Sequence, residues 1–471
     1  MNSAEVSPPE SEAGAPQPAA QVPPPEKAWR VGTLAYTGRG LAAICFWLLW
    51  GDFAWSMKDR SVMPVLQIML GQFHASDTLL SLFTATLPAA IGLLLGPMVS
   101  FKSDRHRGAR GRRIPYLLFA TPISAISIVA LGFSPMLGGL LNKILGSHSP
   151  GYDASVLMMM GVGCTLFLFS STIGNAVFGA LINDVVPARC IGRFFGLFRV
   201  VSLLVGAGFS YWLLGKAADH YIGIFVCVGL IYGVGVMSMC LRVKEGEYPP
   251  PASSAGGGLS GAFRATKTYF TECFSQPYYL WFFLASNLAM LASVPVNIYT
   301  VFFARSLHMS MTDLGKYFAI TYIISICISY LIGSLADRFH PLRVSIVATV
   351  LYGLATLWGG IFATNYAGFA VALLAHGVLS GVFFTASASL GQRLLPQQRF
   401  AQFASASGII AAGFNMVLPP ILGGILDYSG HNYRLTYFTG SVISLLSLGC
   451  LAVVYRYWIR LGGPHGFVAP E

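Results

Sequence analysis

Charged residues are scarce in this chain of 471 residues, since only 10% are Asp, Glu, Lys or Arg and 55% are hydrophobic. A soluble domain averages about 25% charged residues, so this composition cannot cover a water-exposed surface. The mean hydropathy of +0.65 agrees. These figures exclude a soluble enzyme, a nucleic-acid-binding domain and a disordered protein. They favour a helical protein that crosses a lipid bilayer many times.

Glutamate is absent from the apolar body of the chain. The eight Glu lie before residue 27, between Glu245 and Glu272, or at Glu471. Aspartate is therefore the only acid of the apolar segments. An ionisable group in lipid is costly and is usually functional, so these few aspartates are the first candidates for a functional site.

Motifs for metal binding or catalysis are also lacking. The eight cysteines form no Cys-x-x-Cys pair and lie mostly in apolar runs, which is typical of small buried side chains rather than metal ligands. No Walker A sequence or catalytic motif occurs. We therefore expect no enzyme activity, no ATP-driven step, no cofactor and no metal. The net charge of +11 fits basic loops on one face of a membrane, and we expect no nucleic-acid partner.

Twelve apolar windows of bilayer length lie between about residues 40 and 456, since about 20 apolar residues cross a membrane as a helix. The first window, about 40–70, is long enough to tilt or to leave the bilayer near its end. Proline and glycine triplets follow the sixth window, a composition typical of linkers. The predicted organisation is a disordered tail (1–37), a six-helix bundle (38–241), a linker (242–277), a second six-helix bundle (278–456) and a second tail (457–471).

Basic residues fix the expected orientation. Twenty-one Lys and Arg fall in the tails and in the loops on the side of the termini, and five fall in the opposite loops. The positive-inside rule then places both termini in the cytoplasm. The first residues have neither a basic start nor an apolar run, so no secretory signal peptide is expected. We expect an integral protein of the plasma membrane, which in a bacterium is the inner membrane.

The two halves repeat a short loop motif. Ser103-Asp104-Arg105 follows the second window, and Ala336-Asp337-Arg338 follows the eighth. A two-fold internal repeat with a central linker is the plan of transporters that rock two bundles around a midplane site.

These loops carry a family resemblance. Twelve helices in two halves, with Asp-Arg loops after helices 2 and 8, resemble the major facilitator superfamily. Three segments resemble its glycoside–pentoside–hexuronide cation symporters and the related sucrose-type sugar transporters: Gly96 to Tyr116, Gly51-Asp52-Phe53-Ala54 and Arg193-Phe194-Phe195. The resemblance implies an all-α fold of two six-helix bundles, alternating access, and a small-molecule substrate, in particular a sugar.

The chain departs from that pattern in two helices. Melibiose-type members carry acids in helix 2 that build a sodium site, whereas Leu79 to Ser100 has no acid here. Asn175 stands in helix 4 where the family often has a sugar-binding Asp. We therefore expect coupling to protons, or no coupling, rather than coupling to sodium. We also expect the protein to act as a monomer in the bilayer.

Helix 1 holds the first candidate site residues. Asp52 lies deep in the span, where it could bind and release a proton during transport. Asp59 follows two turns later on nearly the same face, so both acids could line one water-filled cavity, with Lys58 and Arg60 neutralising them or binding an anionic substrate. The alternatives are a structural Asp52 bonded to a neighbouring helix, and a Lys58–Arg60 triplet at the membrane edge.

Helix 5 offers two guanidinium groups. Arg199 and Arg193 could both face the central cavity. Alternatively, Arg193 anchors the helix at the membrane surface and Arg199 pairs with Asp184 in a structural bridge.

Polar side chains in other spans could contact sugar hydroxyls, because an amide both donates and accepts hydrogen bonds. The alternative for each is a structural hydrogen bond between helices. These candidates are Asn175, Asn287, Asn297, His376 and Asn415.

The loop residues are interpreted as gating elements rather than substrate contacts. Acids at helix ends can cap or bridge neighbouring helices and so bias the equilibrium between conformations. The predicted gating set is Asp104, Arg105, Arg112, Arg113, Asp337 and Arg338.

The sequence thus predicts a proton-coupled secondary transporter of a sugar or glycoside. Two alternatives stay open. The excess of cationic groups in the spans favours a transporter of organic anions or peptidoglycan fragments. The same fold could also serve as a membrane receptor that moves no substrate.

Overall fold

The computed structural model describes residues 29–248, 268–396 and 399–470. Within these segments, twelve helices are long and apolar enough to cross a membrane, as predicted. They are called helix 1 to helix 12 and cover Gly38–Gln72, Asp77–Arg105, Ile114–Gly132, Tyr152–Val185, Arg189–Trp212, Leu214–Arg242, Pro277–Ser306, Met311–Phe339, Pro341–Phe362, Tyr366–Leu394, Gln402–Tyr428 and Arg434–Arg460.

The first six helices and the last six pack in equivalent ways. Helix 1 packs on helix 6 as helix 7 packs on helix 12, and helix 3 packs on helix 4 as helix 9 packs on helix 10. The two bundles meet along two seams, helix 2 with helix 11 and helix 5 with helix 8. The internal repeat of the sequence is therefore a repeat of packing.

Two helices depart from regular α-helical geometry next to a proline. Helix 7 consists of Pro277–Leu291 and Val294–Ser306, because Pro295 has no N–H to donate to the carbonyl four residues earlier. Helix 2 contains a π-helical turn over Leu82–Thr86, just before Pro88. Hydrophobic windows predict none of these breaks, because the apolar run continues through them.

Further short elements lie outside or at the ends of the spans. They are the helix Ser134–Leu145, the 3₁₀ turns Gly146–His148 and Leu214–Lys216, the Leu390–Leu394 turn that ends helix 10 after Tyr366–Ser387, and the turn Gly463–Gly466. The region 134–154 connects helix 3 to helix 4. Its Ser134–Leu145 helix packs on helix 4.

The predicted disordered tail needs a correction. Residues 1–28 lie outside the described residues, but strand β1 (Trp29–Val31) pairs antiparallel with strand β2 (Leu34–Tyr36). Gly32 adopts a positive φ of 54°, which glycine tolerates in a tight turn. The Glu247 N–H donates to Thr33 Oγ1 at 2.8 Å. This hairpin is an ordered element, so the prediction of disorder is wrong for residues 29–37.

The predicted linker, 242–277, lies partly outside the described residues, since 249–267 are not among them. Residues 268–274 are helical, and Tyr269 donates from its hydroxyl to the Gln402 carbonyl at 3.4 Å. Both ends of this segment therefore contact a bundle.

The two ends of the molecule differ in how the bundles meet. Because the chain has twelve membrane-spanning helices, residues 29 and 470 lie on the same side of the molecule, which is called here the terminal side. The opposite side is called the far side. On the far side, the start of helix 2 packs closely on helix 11, and a Cβ atom at Gly423 would lie 2.7 Å from the Thr78 Cα. Towards the terminal side, Gly92 and Gly408 have no described atom within 4 Å of such a position.

Candidate functional site

A cavity of about 690 Å³ lies between the bundles. Its walls come from helices 1, 2, 7 and 11, and both Gly92 and Gly408 line it. The polar side chains among its lining residues are Gln67, Thr84, Asn297, Ser405 and Asn415. This volume suits a small ligand.

Asp427 closes the far side by joining the bundles. It accepts hydrogen bonds from the backbone N–H groups of Asp77 and Thr78 at 2.8 and 3.1 Å, and from the Thr78 hydroxyl at 2.7 Å. The Asp77 carboxylate lies 2.7 Å from His431 Nδ1 and accepts from the Tyr433 hydroxyl at 3.2 Å. A carboxylate is stabilised at the amino end of a helix, so Asp427 holds helix 2 against helix 11. Sequence reasoning missed this cluster, because its partners are about 350 residues apart.

Among the described residues, this far-side cluster is also the group that could hold a metal ion, since ligand atoms of Asp77, Asp427 and His431 lie within 4.8 Å of one another. All four carboxylate oxygens already take part in the contacts described above. The geometry therefore fits a closed contact between bundles.

Arg60 lies at the seam between helices 1, 5 and 8. Its Nε and Nη2 atoms donate to Ser202 Oγ at 3.3 and 3.0 Å, and its guanidinium lies 5.1 Å from the ring centre of Tyr322 in helix 8. Arg60 of the 58–60 triplet therefore contacts both bundles. Arg60 lies two turns before the cavity residue Gln67 on nearly the same face of helix 1.

Arg199 lies on the same seam. It precedes Ser202 by one helical turn, and the next turn carries Gly206, which lies against Tyr322 and Arg60. Arg199 is exposed, and no described side chain forms a hydrogen bond or ion pair with it. The alternative bridge to Asp184 is wrong, because Asp184 is bound by other arginines.

Lys58 is fully buried in the first bundle, where it pairs with Asp59, one of the two roles that the sequence suggested for it. Its Nζ donates to Ser171 Oγ of helix 4 at 2.9 Å, lies 3.1 Å from Asp59 Oδ1 and sits 4.0 Å from the Trp55 ring centre. Tyr232 adds a second ring at 5.2 Å. The i, i+3 spacing of Trp55 and Lys58 is the sequence signal that could have indicated this aromatic enclosure.

The two acids of helix 1 differ in exposure, contrary to the expectation that both line one water-filled cavity. The Asp59 side chain is 50% exposed, whereas Asp52 is 7% exposed and its Oδ2 has no hydrogen-bond partner among the described residues. The physical reason is close packing, since Gly51 lies directly against Met239 of helix 6. Asp52 is thus an unpaired carboxyl inside the first bundle.

The second bundle presents a neutral polar wall. His376 is buried, with Nδ1 2.8 Å from the Tyr352 hydroxyl and Nε2 3.0 Å from Asn297 Oδ1. Asn297 lines the cavity, so this chain of three side chains fixes the orientation of its amide. Asn415 also lines the cavity and donates to the Ala411 carbonyl of its own helix at 2.9 Å.

Two other predicted amides lie elsewhere. Asn287 is buried and donates from Nδ2 to the Ser407 carbonyl and hydroxyl at 3.1 and 3.0 Å. It therefore joins helix 7 to helix 11, as the structural alternative anticipated. Asn175 is exposed on helix 4 and has no hydrogen-bond partner among the described side chains and backbone groups.

The predicted gating residues of the first bundle form a dense ion-pair network on the terminal side. Arg113 donates to Ser103 Oγ at 2.5 Å and to Asp184 at 3.3 Å, and it also bonds the Asp104 carboxylate. Arg112 makes a two-pronged contact with Asp184 at 2.9 and 2.5 Å. The hydrogen bond to Asp184 raises the pKa of Arg112 above its ordinary value.

Glu245 completes this network, and sequence reasoning missed it. Its carboxylate accepts from the backbone N–H groups of Arg112, Arg113 and Ile114 at 2.9, 2.8 and 2.7 Å. It therefore caps the amino end of helix 3 from the segment that follows helix 6. Gly111, with a φ of 96°, leaves the room that the carboxylate occupies.

The remaining predicted residues lie on the terminal side with few contacts. In the second bundle, Asp337 pairs with Arg393 at 2.6 Å, and both side chains are exposed. The guanidinium groups of Arg105 and Arg338 lie over the adjacent rings of Phe101 and Phe339. Arg193 is exposed near the start of helix 5. The contacts of this set stay within one bundle, unlike those of Asp427.

Two six-helix bundles around a central cavity define a membrane transport fold. Residues 43–414 and 282–466 match the profile of the Major Facilitator Superfamily, and the chain belongs to this family. It is an integral membrane transporter.

Individual relatives are distant. A segment of 114 residues is 30% identical to the "Sucrose transport protein SUT3" of rice (Oryza sativa subsp. indica), covering 23% of this chain and 22% of the rice protein's length. Among solved structures, a point mutant of the nucleoside transporter NupG matches with a TM-score of 0.64 and 10% identity, over 88% of this chain and all of that chain. A D-xylose-proton symporter matches with a TM-score of 0.57 and 14% identity, over 86% and 96%. These structural matches show the shared fold.

Proposed function

We propose that this protein moves a sugar or glycoside across the membrane by alternating access, in symport with protons. The observation that carries the proposal is the cavity itself, which lies between the bundles, is closed on the far side by Asp427 and widens towards the terminal side. A ligand bound there contacts both bundles, so its binding can change the balance between the two orientations.

The cavity chemistry supports a polyhydroxylated substrate. Asn297 and Asn415 offer amide donors and acceptors, and Gln67 and Ser405 add further polar groups. Such groups match the hydroxyls of a sugar, which also donate and accept. The short match to a rice sucrose transport protein and the fold of a xylose–proton symporter favour the same class.

Asp52 is the proposed coupling acid. It is an unpaired carboxyl inside the membrane-spanning part of the first bundle, and intramembrane acids usually mark ion pathways. Leu79 to Ser100 of helix 2 supplies no acid for a sodium site. In this proposal Asp52 takes up a proton in one orientation and releases it in the other.

We also propose that the terminal side is cytoplasmic, that the protein lies in the plasma membrane and that it acts as a monomer. The basic residues of the terminal-side loops favour this orientation. The ion pairs around Asp104 and Asp337 then set the rigidity of each bundle during the change of orientation. A reporter fused after Glu471 should give a cytoplasmic signal.

Uptake into proteoliposomes tests the function. Labelled sugars and glycosides are offered with and without a pH gradient, and the wild-type protein should accumulate at least one of them only with the gradient. Asp52→Asn should abolish this accumulation but keep exchange across the membrane, because an amide cannot release a proton.

The matched control is Asp313→Asn, which changes a partly exposed far-side acid paired with Lys316 and should accumulate substrate like the wild type. Binding without flux would indicate a receptor. Accumulation by Asp52→Asn with unchanged dependence on pH would contradict the assigned coupling residue.

A further inference from the structure

We propose that His376 is a positioning residue that sets the polarity of the cavity wall. It turns the Asn297 amide so that Nδ2 donates into the cavity, and the substrate must therefore present an oxygen acceptor there rather than an ammonium group. This inference rests on the proposed function, because it specifies which sugars and glycosides the same cavity accepts.

The Tyr352 hydroxyl decides where the His376 ring carries its proton. The Tyr352 oxygen lies 2.8 Å from His376 Nδ1 and 3.4 Å from the Ala292 carbonyl oxygen, so its proton is donated to the nearer acceptor, Nδ1. His376 is 3% exposed, and no acid among the described residues forms an ion pair or a hydrogen bond with it. A charged ring is costly in such a place. A neutral imidazole carries its proton on one nitrogen, which is then Nε2.

The Nε2 proton fixes the direction of the Asn297 amide. Nε2 lies 3.0 Å from Asn297 Oδ1, and an amide oxygen can only accept. His376 therefore holds Oδ1, and Nδ2 at the other end of the amide is directed away from the ring. No described group accepts a hydrogen bond from Nδ2. Asn297 is exposed between the buried residues Val296 and Ile298 and lines the cavity, so the cavity receives a donor of fixed direction.

The other two amides of the cavity are held differently. Asn415 donates from Nδ2 to the Ala411 carbonyl at 2.9 Å, which leaves its Oδ1 as the acceptor offered to a ligand. Gln67 of the first bundle lines the cavity, and no described group forms a hydrogen bond with its side chain. Gln67 can therefore turn either end of its amide to a ligand. The second bundle thus presents a fixed donor and a fixed acceptor, whereas the first bundle adapts.

Sugar chemistry gives the consequence for the substrate. A ring or glycosidic oxygen can only accept, a hydroxyl accepts and donates, and an ammonium group can only donate. The oxygens all satisfy Asn297 Nδ2, whereas an ammonium group would place donor against donor. The cavity should therefore accept a sugar or glycoside that brings an oxygen to Asn297 and reject its analogue with an ammonium group at that place.

Nitrogen NMR tests the tautomer of His376 without a ligand. The full-length protein is labelled with isotope-enriched histidine, and of its nine His the signals of His376 are those that His376→Gln lacks. We expect a protonated Nε2 and an unprotonated Nδ1.

Binding of sugar analogues to the detergent-purified full-length protein tests the consequence. The probes are glucose and sucrose, and analogues of each in which one hydroxyl at a time is replaced by fluorine, which can only accept, or by an ammonium group. At the position that faces Asn297, the ammonium analogue should bind about tenfold or more weakly than the fluorinated analogue, because a buried donor without an acceptor is costly.

His376→Leu removes the group that holds Asn297 Oδ1, so the ratio between the two affinities should fall towards one at that position. The ratio compares two ligands of one protein sample, so a loss of folded protein does not change it. His376→Gln keeps an N–H that can reach Oδ1 and should retain part of the preference. Thr349→Val, which removes a buried hydroxyl one turn before Tyr352 in helix 9, is the matched control and should keep the wild-type ratio.

The possible failures are distinguishable. A His376 ring with its proton on Nδ1, or a preference that His376→Leu leaves unchanged, would overturn the inference while the proposed function stands. If no probe binds although Nε2 carries the proton, the donor at Asn297 stands and the proposed sugar substrate is contradicted.

Discussion

The loops after helix 2 and helix 8 carry the same short motif in different surroundings. Asp104 bonds Arg113, whose side chain is 7% exposed and also reaches Ser103 and Asp184. Asp337, at the equivalent place in the second bundle, is 75% exposed and has a single pair with Arg393. The repeated sequence places the two acids at equivalent helix ends, but the two acids do not contribute equally to folding stability.

Loop length explains the difference. Eight residues, 106–113, separate helix 2 from helix 3, and they supply the two arginines and the turn that receives Glu245. A single residue, His340, separates helix 8 from helix 9. No chain is available there to fold back over Asp337. Among the described residues, the buried ion-pair network therefore forms in the first bundle, and Asp337 keeps an exposed pair.

Among the changes that test this comparison, Arg113→Ala should cause the largest loss of folding stability. The change removes the partner of Asp104 and one of the two arginines that bind Asp184, and breaking a buried pair typically costs about 3–5 kcal/mol. We expect a loss of about 3 kcal/mol, at the lower end of that range, because Asp104 is partly exposed. This loss is measured by unfolding the protein in mild detergent. Arg393→Ala is the matched change in the second bundle. Equal losses from both variants would contradict the comparison.

Glu245→Gln should have an intermediate effect. Glutamine keeps one acceptor oxygen but loses the charge that stabilises the amino end of helix 3. Loss of a helix cap or of a charge at a helix end costs about 1 kcal/mol. Glu272→Gln serves as the control and should be near neutral. Glu272 is a partly exposed acid that lies 3.7 Å from Arg399 and accepts from Gln402, a hydrogen bond that a glutamine side chain can keep. The same unfolding assay would count against the capping role if the two variants behaved alike.

Asp337→Asn should have the smallest effect, within about 0.5 kcal/mol of the wild type, because exposed ion pairs contribute little. Asp104→Asn should lower the transport rate more than Asp337→Asn does, since it loosens the buried network. Parallel measurements of unfolding and of uptake compare the two. A larger loss from Asp337→Asn in either assay would reverse the ranking proposed here.

The sequence predicts the fold well and the polar contacts less well. Twelve spans follow from apolar windows, and the repeat follows from the Asp-Arg loops. The break before Pro295 and the burial of Lys58 depend on packing that no hydrophobic window records. Asp427 reaches Asp77 only after eleven spans are in place, so the far-side closure could not be read from local patterns.

The far and terminal sides of the protein also differ, and this difference defines the conformation of the transporter. Asp427 joins the bundles on the far side, whereas the ion pairs described on the terminal side stay within one bundle or the other. In alternating access, the contact between the bundles on the far side must break while the bundles come together on the terminal side.

Distances between spin labels test this central claim most directly. In a transport-competent variant without the native cysteines, one pair of labels replaces Lys143 and Tyr428 on the far side, and another replaces Lys102 and Ala388 on the terminal side. On addition of a transported substrate, the far-side distance should increase while the terminal-side distance decreases. Two distances that stay constant, or that change in the same direction, would contradict alternating access around this cavity.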